Sequence, residues 1–523
     1  MENATVFYSN IPVRNADIVR IGFIQIKRSK RNPVFEDGIP FLVECIYNKA
    51  MMSLCVFADT KIFFSLLFIL RTTGKESIRM DEFDVIVVGA GLAGLSCAYR
   101  LASKGRRVLV LEAHSYPGGR TSSFRDHDME VESGLHRHIG YYSALPRLLK
   151  KCSVRINDIV TWEEKVDILL KGQDKKIVLG VAPFWGPIKM IRGLAGNSDS
   201  LSLRDKLSLI PFFLCGFASY IFSDWLDRFS VAEYAERHHV SKRAQQWVLE
   251  PLSSGIFFLP PDRYSAYAFF GLFAPAIPKF YKMRIGAYLG GMTDVMCMPI
   301  VKGCADLGCR FQFGVKVTRV LEEQGRVTGV QDEKGQVYRS RQTVIAATLP
   351  AAKEILMPLK HRPELEKLFS LPEMSACTMQ IELDQPALKK DVTTFGPGTD
   401  MVSFAEQSRS TFPQTKGRLS IILGNAEKQK EKDEKELLSM VLGQMDSLGV
   451  HLEGHVLRAR KVAEANDFYA LEPGNQKRRP SQRTGIPGLL LAGDYARTAS
   501  FATMEGAVLS GKKAARLCMK NRG

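Results

Sequence analysis

The chain has 523 residues, 45% of them hydrophobic and 24% charged, which excludes a wholly disordered, a fibrous or a polytopic membrane protein and predicts about two to four domains. An excess of 72 Lys and Arg over 55 Asp and Glu gives a net charge of +17. The basic residues are spread thinly, so we expect no nucleic-acid partner. The ten cysteines show no Cys-x-x-Cys and no even spacing, which favours a reducing compartment.

Residues 1–79 differ from the rest of the chain because they show no clear helical or strand period. The part of their apolar stretch that contains no charged residue after Lys61 is residues 62–70. It is nine residues long, whereas a bilayer span needs about 20. No signal peptide is correctly placed. An uncleaved anchor, a targeting extension and upstream sequence outside the working protein stay open. Met80 directly precedes the first predicted strand, which favours the last of the three.

The segment from Phe83 predicts a βαβ unit. Val85–Val88 is an apolar run typical of a buried strand, a helical stretch follows to about Ser103, and Arg107–Leu111 is a second strand. The second strand ends at an acidic residue, Glu112. The turn after the first strand reads Gly89, Ala90, Gly91, Leu92, Ala93 and Gly94. A G-x-G-x-x-G turn between a strand and a helix, with an acid closing the next strand, indicates a dinucleotide-binding site.

Each residue type in this turn has a physical role at such a site. Gly89 permits the tight turn, Gly91 lets the backbone approach a pyrophosphate, and Gly94 allows close packing of helix on strand. The helix N-terminus offers free N–H groups and a positive dipole end to phosphates. Glu112 is placed to accept hydrogen bonds from a ribose. Its carboxylate would repel a 2′-phosphate, so NADP is disfavoured.

A second glycine-containing motif follows Glu112 directly. The chain continues Ala113-His-Ser-Tyr-Pro and then Gly118, Gly119 and Arg120. The two glycines give the backbone room, and Arg120 supplies a rigid donor fork toward a diphosphate or a flavin edge. These residues extend the predicted binding site.

The middle of the chain is unusually apolar. Leu207–Ser223 is a run of 17 uncharged residues interrupted by Pro211, too short and broken for a membrane span, and Pro251–Tyr281 holds nine aromatic residues in 31 positions. A hydrophobic core accounts for part of such a composition. We favour an apolar tunnel with a membrane-dipping lip, ringed by basic residues.

No metal site is predicted. His136 and His138, and the pair His238 and His239, have no third ligand at metal spacing, and the cysteines between 297 and 309 match no zinc pattern. These histidines are interpreted as surface or core residues. The run GAVLSGKK near the C-terminus lacks the Ser or Thr and the preceding strand of a phosphate-binding loop.

Three segments resemble the flavin-binding signatures of the FAD-dependent amine oxidase and carotenoid desaturase superfamily. They read VIVVGAGLAGLSCAYRL, EAHSYPGGR and LLLAGDYARTASFATMEGAVLSGKKAA. The segments ATMEGAVLSGK and MCMPIV are most similar to plant-type phytoene and zeta-carotene desaturases. The resemblance implies FAD as the cofactor, with Gly493 and Asp494 at its ribityl–pyrophosphate region. It further implies the backbone of Val317 at the adenine, and a helix opening at Met504-Glu505-Gly506 toward the isoalloxazine.

The resemblance implies an α/β fold, a two-domain flavoprotein with a discontinuous Rossmann-like FAD-binding domain and an inserted substrate domain. The segments 80–160, 290–370 and 470–523 are predicted to form the FAD-binding domain. The segments 161–289 and 371–469 are predicted to form the substrate domain, with its membrane-facing apolar part.

The function implied is that of an FAD-dependent oxidoreductase, a desaturase of a long apolar polyene or isoprenoid such as a carotenoid precursor. The expected partners are a lipophilic small molecule, a membrane surface and a membrane quinone or oxygen as electron acceptor. The expected location is peripheral to a membrane, in the cytoplasm or an organelle. A flavin amine oxidase, a hydroxysqualene-type enzyme or polyene isomerase, and a non-enzymatic flavoprotein binding module stay open. No side chain stands out as a catalytic acid or base.

Overall fold

The computed structural model of the chain describes residues 83–163, 165–172, 176–180 and 200–520, together with strands β1 (Ala4–Pro12) and β2 (Ile18–Ile26). The chain divides into two units, Met1–Glu76 and Ser77–Gly523. In the first unit β1 and β2 pair as an antiparallel hairpin, in a region where the sequence shows no clear strand period. The apolar stretch 62–70 and the boundary predicted at Met80 lie outside the described residues.

The second unit is built from strands and helices in mixed order. The strands are β3 (Phe83–Val88), β4 (Val108–Glu112), β5 (Ser123–Asp126), β6 (Met129–Glu132), β7 (Arg137–Ile139), β8 (Val160–Glu163), β9 (Lys165–Leu169), β10 (Lys176–Gly180), β11 (Ile285–Tyr288), β12 (Arg310–Phe313), β13 (Val317–Glu323), β14 (Arg326–Asp332), β15 (Val337–Ile345), β16 (Glu373–Leu383), β17 (Thr394–Phe395), β18 (Met401–Glu406), β19 (Gly417–Leu423), β20 (Val456–Tyr469) and β21 (Leu489–Leu491).

The same unit contains α-helices between and after these strands. They are α1 (Leu92–Ala102), α2 (Ala144–Lys151), α3 (Ile156–Ile159), α4 (Leu203–Ser219), α5 (Ser223–Leu226), α6 (Val231–Arg237), α7 (Lys242–Ala244), α8 (Glu250–Phe257), α9 (Ala266–Phe273), α10 (Met298–Ala305), α11 (Leu349–Ile355), α12 (Glu366–Ser370), α13 (Ala426–Gln429), α14 (Glu434–Ser447) and α15 (Met504–Lys520).

The first large sheet has a parallel core. Strands β12, β4, β3, β15 and β21 lie side by side in that order and all pair in parallel, and β14 and β13 continue from β15 as antiparallel strands. Every residue of β4 and β21 is buried, as expected for parallel strands covered on both faces. Helices α1 and α15 pack against each other so closely that a Cβ on Gly511 would lie 1.9 Å from the Ala93 carbonyl oxygen.

The second large sheet is mainly antiparallel. Its strand order is β10-β9-β17-β18-β19-β16-β20, with only β9 and β17 paired in parallel. Helix α14 packs its buried residues Leu437, Val441 and Met445 into the core of this sheet. The strands of the first sheet fall within the segments predicted for FAD binding, and those of the second within the segments predicted for the substrate domain. The domain assignment itself stays a prediction.

The apolar middle of the chain folds into helices rather than a membrane span. The uncharged run from Leu207 belongs mostly to α4, which continues through Pro211. Within the described residues, no helix combines the length and the apolar character needed to cross a bilayer. Some aromatic residues of 251–281 lie in the core, and others line a cavity. Tyr264, Phe269 and Phe270 are fully buried in the core, whereas Phe257, Phe258 and Phe273 line a cavity.

Candidate active site

The turn between β3 and α1 is one that only glycine can form. Gly89 has φ +104°, and a Cβ there would lie 2.9 Å from the carbonyl oxygen of Ala346. A Cβ on Gly94 would lie 1.9 Å from the carbonyl oxygen of Gly89. These two glycines therefore allow α1 to start directly above the end of β3.

The N-terminus of α1 is left open by the chain. Gly91 is its N-cap residue and supplies no side-chain hydrogen bond, so the first N–H groups of the helix lack an internal partner. A Cβ on Gly91 would meet only the Gly118 carbonyl oxygen, at 3.7 Å. The helix thus presents free donors and open space at the same point, which is the arrangement that binds phosphate groups.

The Glu112 carboxylate is held in one orientation by the backbone. The Ala90 N–H donates to its Oε2 at 2.6 Å, and the His114 N–H donates to its Oε1 at 3.0 Å. Each carboxylate oxygen has a second lone pair. Glu112 is therefore a fixed acceptor at the end of β4, beside the glycine turn.

A second glycine turn lies against the first. Gly118 forms a parallel bridge with Gly91, and its N–H donates to the Ala90 carbonyl at 3.0 Å. Gly118 has φ +124° and Gly119 has φ +55°, so both occupy backbone conformations that disfavour other residues. The G-x-G-x-x-G turn and the Gly-Gly-Arg turn form one continuous backbone surface.

Arg120 connects this surface to the C-terminal part of the chain. Its guanidinium donates to the Asp494 carboxylate at 2.5 Å, and the Asp494 side chain is only 5% exposed. The guanidinium also lies over the Phe468 ring, 4.5 Å from its centroid. The Arg120 guanidinium, which was expected to face a cofactor, is thus oriented by Asp494, which lies 374 positions later in the sequence.

One cavity of about 1080 Å³ contacts nearly all of the residues predicted from sequence to bind the cofactor. It is lined by Gly89, Gly91, Leu92, Ala93, Glu112, Ala113, Gly118, Gly119, Arg120, Val317, Gly493, Asp494 and Met504. Ala90 and Gly94 lie behind this lining and do not contact the cavity. Ala90 holds Glu112 in place, and Gly94 allows α1 to approach β3.

The same cavity continues away from the glycine turns into an apolar region. Helices α4, α8 and α9 form one side, and the second sheet forms another. The apolar lining includes Leu209, Phe213, Phe217, Leu252, Ile256, Phe257, Phe273, Phe395 and Ile422. The two glycine turns and an apolar chamber therefore share one cavity.

Comparison with known proteins identifies this arrangement. The model of the family "Flavin containing amine oxidoreductase" matches residues 92–519. This chain belongs to that family. FAD is therefore its cofactor, and the chain is an FAD-dependent oxidoreductase, as the sequence motifs predicted.

The relatives and the solved structures agree with the family. The chain is 26% identical to the 15-cis-phytoene desaturase of Arabidopsis thaliana over 454 residues, which is 82% of this chain and 78% of that protein. It is 26% identical to the zeta-carotene desaturase of Solanum lycopersicum, over 84% of this chain and 81% of that protein. The resemblance to the superfamily is confirmed.

Solved structures share the fold at lower identity. An oxidoreductase from Methanosarcina mazei has a TM-score of 0.63 at 17% identity, covering 84% of this chain and all of that one. A putrescine oxidase variant has a TM-score of 0.64 at 15% identity, covering 84% of this chain and all of that one. The predicted fold class, an α/β two-domain flavoprotein, is confirmed.

The buried His138 of this oxidoreductase is linked to Met504 through a tyrosine. His138 Nδ1 is 3.0 Å from the Tyr288 hydroxyl, which in turn contacts the Met504 sulfur at 3.8 Å. Burial lowers the pKa of His138 to about 3 and that of His136 to about 4. Both imidazoles are therefore neutral, and His138 is buried whereas His136 is half-buried and lines the cavity. Among the described residues no group of three or more His, Cys, Asp or Glu side chains could hold a metal ion.

Glu505 has a role in this oxidoreductase that its motif did not reveal. The residue follows Met504 at the start of α15, where the resemblance implied a helix end aimed at the isoalloxazine. Its buried carboxylate instead accepts hydrogen bonds from the N–H groups of Ser143, Ala144 and Leu145, at 2.9, 2.7 and 3.0 Å. Glu505 thus caps α2, whose own N-cap residue provides no side-chain cap. Met504 lines the cavity, as the motif implied.

Proposed function

We propose that this chain uses FAD to dehydrogenate a long apolar polyene or isoprenoid, of the kind that carotenoid precursors represent. Supporting this, the cavity joins the two glycine turns to an apolar chamber without an intervening wall. The carboxylates of the described residues that line it are Glu112, Glu354 and Asp494. Glu112 and Asp494 belong to the dinucleotide motifs, and Glu354 lies on α11. The chamber between α4, α8 and α9 therefore offers no anion to a cationic amine, which favours a hydrocarbon chain over a polyamine.

The proposed binding mode assigns each motif to one part of FAD. The pyrophosphate would lie at the open N-terminus of α1, beside the Gly-Gly-Arg turn, and the adenosine would lie along β4 and β13. The residues proposed to bind FAD are Gly89, Ala90, Gly91, Leu92, Ala93, Gly94, Glu112, Ala113, Gly118, Gly119, Arg120, Val317, Gly493, Asp494 and Met504. The free N–H groups, the fixed Glu112 carboxylate and the Arg120 fork fit such a ligand.

The chemistry divides between cofactor and protein. When bound, FAD would accept a hydride from one carbon of the chain, and the neighbouring carbon would lose a proton to solvent as the double bond forms. The protein's part is to hold one carbon of a flexible chain at a fixed place and to exclude water. The packed aromatic side chains of the chamber, such as Phe213, Phe257 and Phe273, provide both. We propose a membrane quinone as the acceptor that regenerates the oxidised enzyme. The relatives, which are named phytoene and zeta-carotene desaturases, support the same substrate class.

An anaerobic absorbance spectrum tests this proposal. Purified holoenzyme is mixed with liposomes that carry phytoene, and the flavin band near ~450 nm is followed. We expect the band to bleach, and a polyene with more conjugated double bonds to be extracted afterwards. A band that stays unbleached with phytoene and other isoprenoids but bleaches with amines would contradict the proposal and identify an amine oxidase. A band that bleaches with neither class would indicate a binding module.

We also propose that α4 brings the cavity to a membrane surface. Leu203, Leu207, Ile210 and Leu214 recur at helical spacing on one side of α4 and are all exposed. Ile210 and Leu214 additionally line the cavity, so this exposed stripe is continuous with the chamber. A contiguous apolar patch of this kind is typical of a membrane-contacting surface.

Replacing Leu207 and Leu214 by serine is expected to weaken binding to liposomes at least tenfold. The two side chains are 53% and 68% exposed, and burying a leucine is worth about 1.5–3 kcal/mol. Co-sedimentation with vesicles measures the change. Leu457→Ser is the matched control, because Leu457 is 56% exposed but lies on β20. Equal losses in both variants would contradict a specific α4 surface.

A further inference from the structure

Arg284 is a half-buried cation in the lining of the cavity. It directly precedes β11, and its chain neighbours Met283 and Ile285 also line the cavity. Its Nε is buried without a hydrogen-bond partner. No carboxylate among the described residues forms an ion pair with it. Burial alone accounts for the lowered pKa of Arg284, and the guanidinium still keeps its charge at any physiological pH.

The neighbouring Arg137 differs from Arg284 because two carboxylates compensate its charge. Arg137, on the adjacent strand β7, also lines the cavity, and it forms ion pairs with Glu163 at 2.9 Å and Asp391 at 2.5 Å. The Arg137 side chain is only 9% exposed, and its charge is compensated in this way because an unpaired charge in an apolar environment is costly. Arg284 is only partly buried and forms no ion pair with a described residue. The positive charge of Arg284 is available for a ligand.

The guanidinium is held in one orientation by an aromatic ring. Its central carbon lies 3.5 Å from the centroid of the Trp162 ring, in a cation–π stack. Stacking compensates part of the charge and fixes the plane of the group. It leaves the buried Nε without an acceptor, because a ring face accepts no bidentate hydrogen bond. A planar donor fork with a fixed plane matches the two oxygens of a carboxylate.

We propose that Arg284, stacked on Trp162, binds a carboxylate at one end of an elongated apolar substrate. This inference rests on the proposed function, since it concerns the same cavity, and it narrows the proposed class of long apolar polyenes and isoprenoids to those that carry a carboxylate at one end. The apolar chain would lie in the chamber toward α4, α8 and α9. Unlike Arg120 and Arg137, Arg284 can neutralise an anion without breaking an ion pair to a described residue.

Equilibrium binding to the holoenzyme tests the proposal. The ligands are all-trans-retinoic acid, all-trans-retinol and methyl retinoate, which share one polyene chain and differ at its end. Quenching of tryptophan emission reports binding. We expect the acid to bind at least about tenfold more tightly than the alcohol or the ester. A second acid, cis-parinaric acid, has an unbranched chain. Tighter binding of the retinoid identifies an isoprenoid acid, tighter binding of parinaric acid identifies a fatty acid, and either result supports a carboxylate subsite.

Variants assign the preference to Arg284. Arg284→Met is expected to abolish the difference between acid and alcohol while leaving the affinity for the alcohol unchanged. Arg284→Lys keeps the charge and is expected to restore most of the preference. Lys104→Met removes one positive charge from the exposed turn after α1 and controls for net charge. Equal affinities for acid and alcohol in the wild type, or a preference that survives in Arg284→Met, would overturn the proposal.

The flavin spectrum separates this inference from the proposed function. If phytoene bleaches the flavin while retinoic acid shows no advantage over retinol, the desaturase proposal stands and the carboxylate subsite is wrong. If the acid binds through Arg284 while no isoprenoid bleaches the flavin, the subsite stands and the dehydrogenation proposal is wrong.

Discussion

Gly91→Ala produces a folded protein that retains almost no FAD. The nearest atom to the new Cβ would be the Gly118 carbonyl oxygen at 3.7 Å, an ordinary contact, so the fold tolerates the change. In the proposed binding mode, the methyl group occupies the space through which a phosphate of FAD would approach the first N–H groups of α1. Losing two hydrogen bonds to a charged phosphate, each worth about 1.5–3 kcal/mol, lowers affinity at least about a hundredfold. The ratio of flavin to protein absorbance and a titration with FAD measure the loss.

Gly94→Ala is the matched control for this variant. It adds the same methyl group three residues later, where the Cβ would lie 1.9 Å from the Gly89 carbonyl oxygen. Because backbone cannot move aside there without separating α1 from β3, we expect insoluble protein rather than a soluble apoprotein. The melting temperature of Gly91→Ala without FAD should match that of wild-type apoprotein. Wild-type FAD affinity in Gly91→Ala would show that the phosphate does not lie at this turn.

The dinucleotide unit could be predicted from sequence because its geometry is local. Strand β3, helix α1 and strand β4 follow one another within 30 residues, and each is specified by apolar periodicity and glycine placement. Even so, the motif could not distinguish residues that face the cavity from those behind it. Ala90 and Gly94 belong to the pattern, yet they shape the site through backbone contacts.

The rest of the site depends on contacts between residues far apart in the chain. Arg120 is directed by Asp494, and Arg284 is fixed by Trp162. No periodicity or spacing encodes such a pair, because the partner is chosen by how whole elements pack. The aromatic segment 251–281 shows the same limit. Its composition predicted an apolar tunnel with a membrane-dipping lip. Only the packing of α8 and α9 decides which rings face the chamber and which, like Phe269, fill the core.

Glu505→Ala is expected to destabilise the folded protein by about 4 kcal/mol. The carboxylate is buried and accepts hydrogen bonds from three consecutive backbone N–H groups at the start of α2, those of Ser143, Ala144 and Leu145. Removing it leaves these donors buried without partners, at a cost of about 1–3 kcal/mol each. It also removes a negative charge from the positive end of the α2 dipole. Urea-induced unfolding of the holoenzyme measures the change in free energy.

Asp433→Ala is the control for Glu505→Ala, because Asp433 caps its own helix whereas Glu505 caps a helix that is distant in the sequence. Asp433 caps its own helix, α14, by accepting from the Glu436 N–H at 2.8 Å in an exposed position, so its loss is expected to cost only about 1 kcal/mol. Glu505→Gln keeps an acceptor oxygen and should fall between the two. Because α15 begins at Met504, a loosened Glu505 also frees the helix start that borders the cavity, and we expect FAD to dissociate faster from Glu505→Ala. Equal destabilisation by Glu505→Ala and Asp433→Ala would mean that α2 is not held by α15.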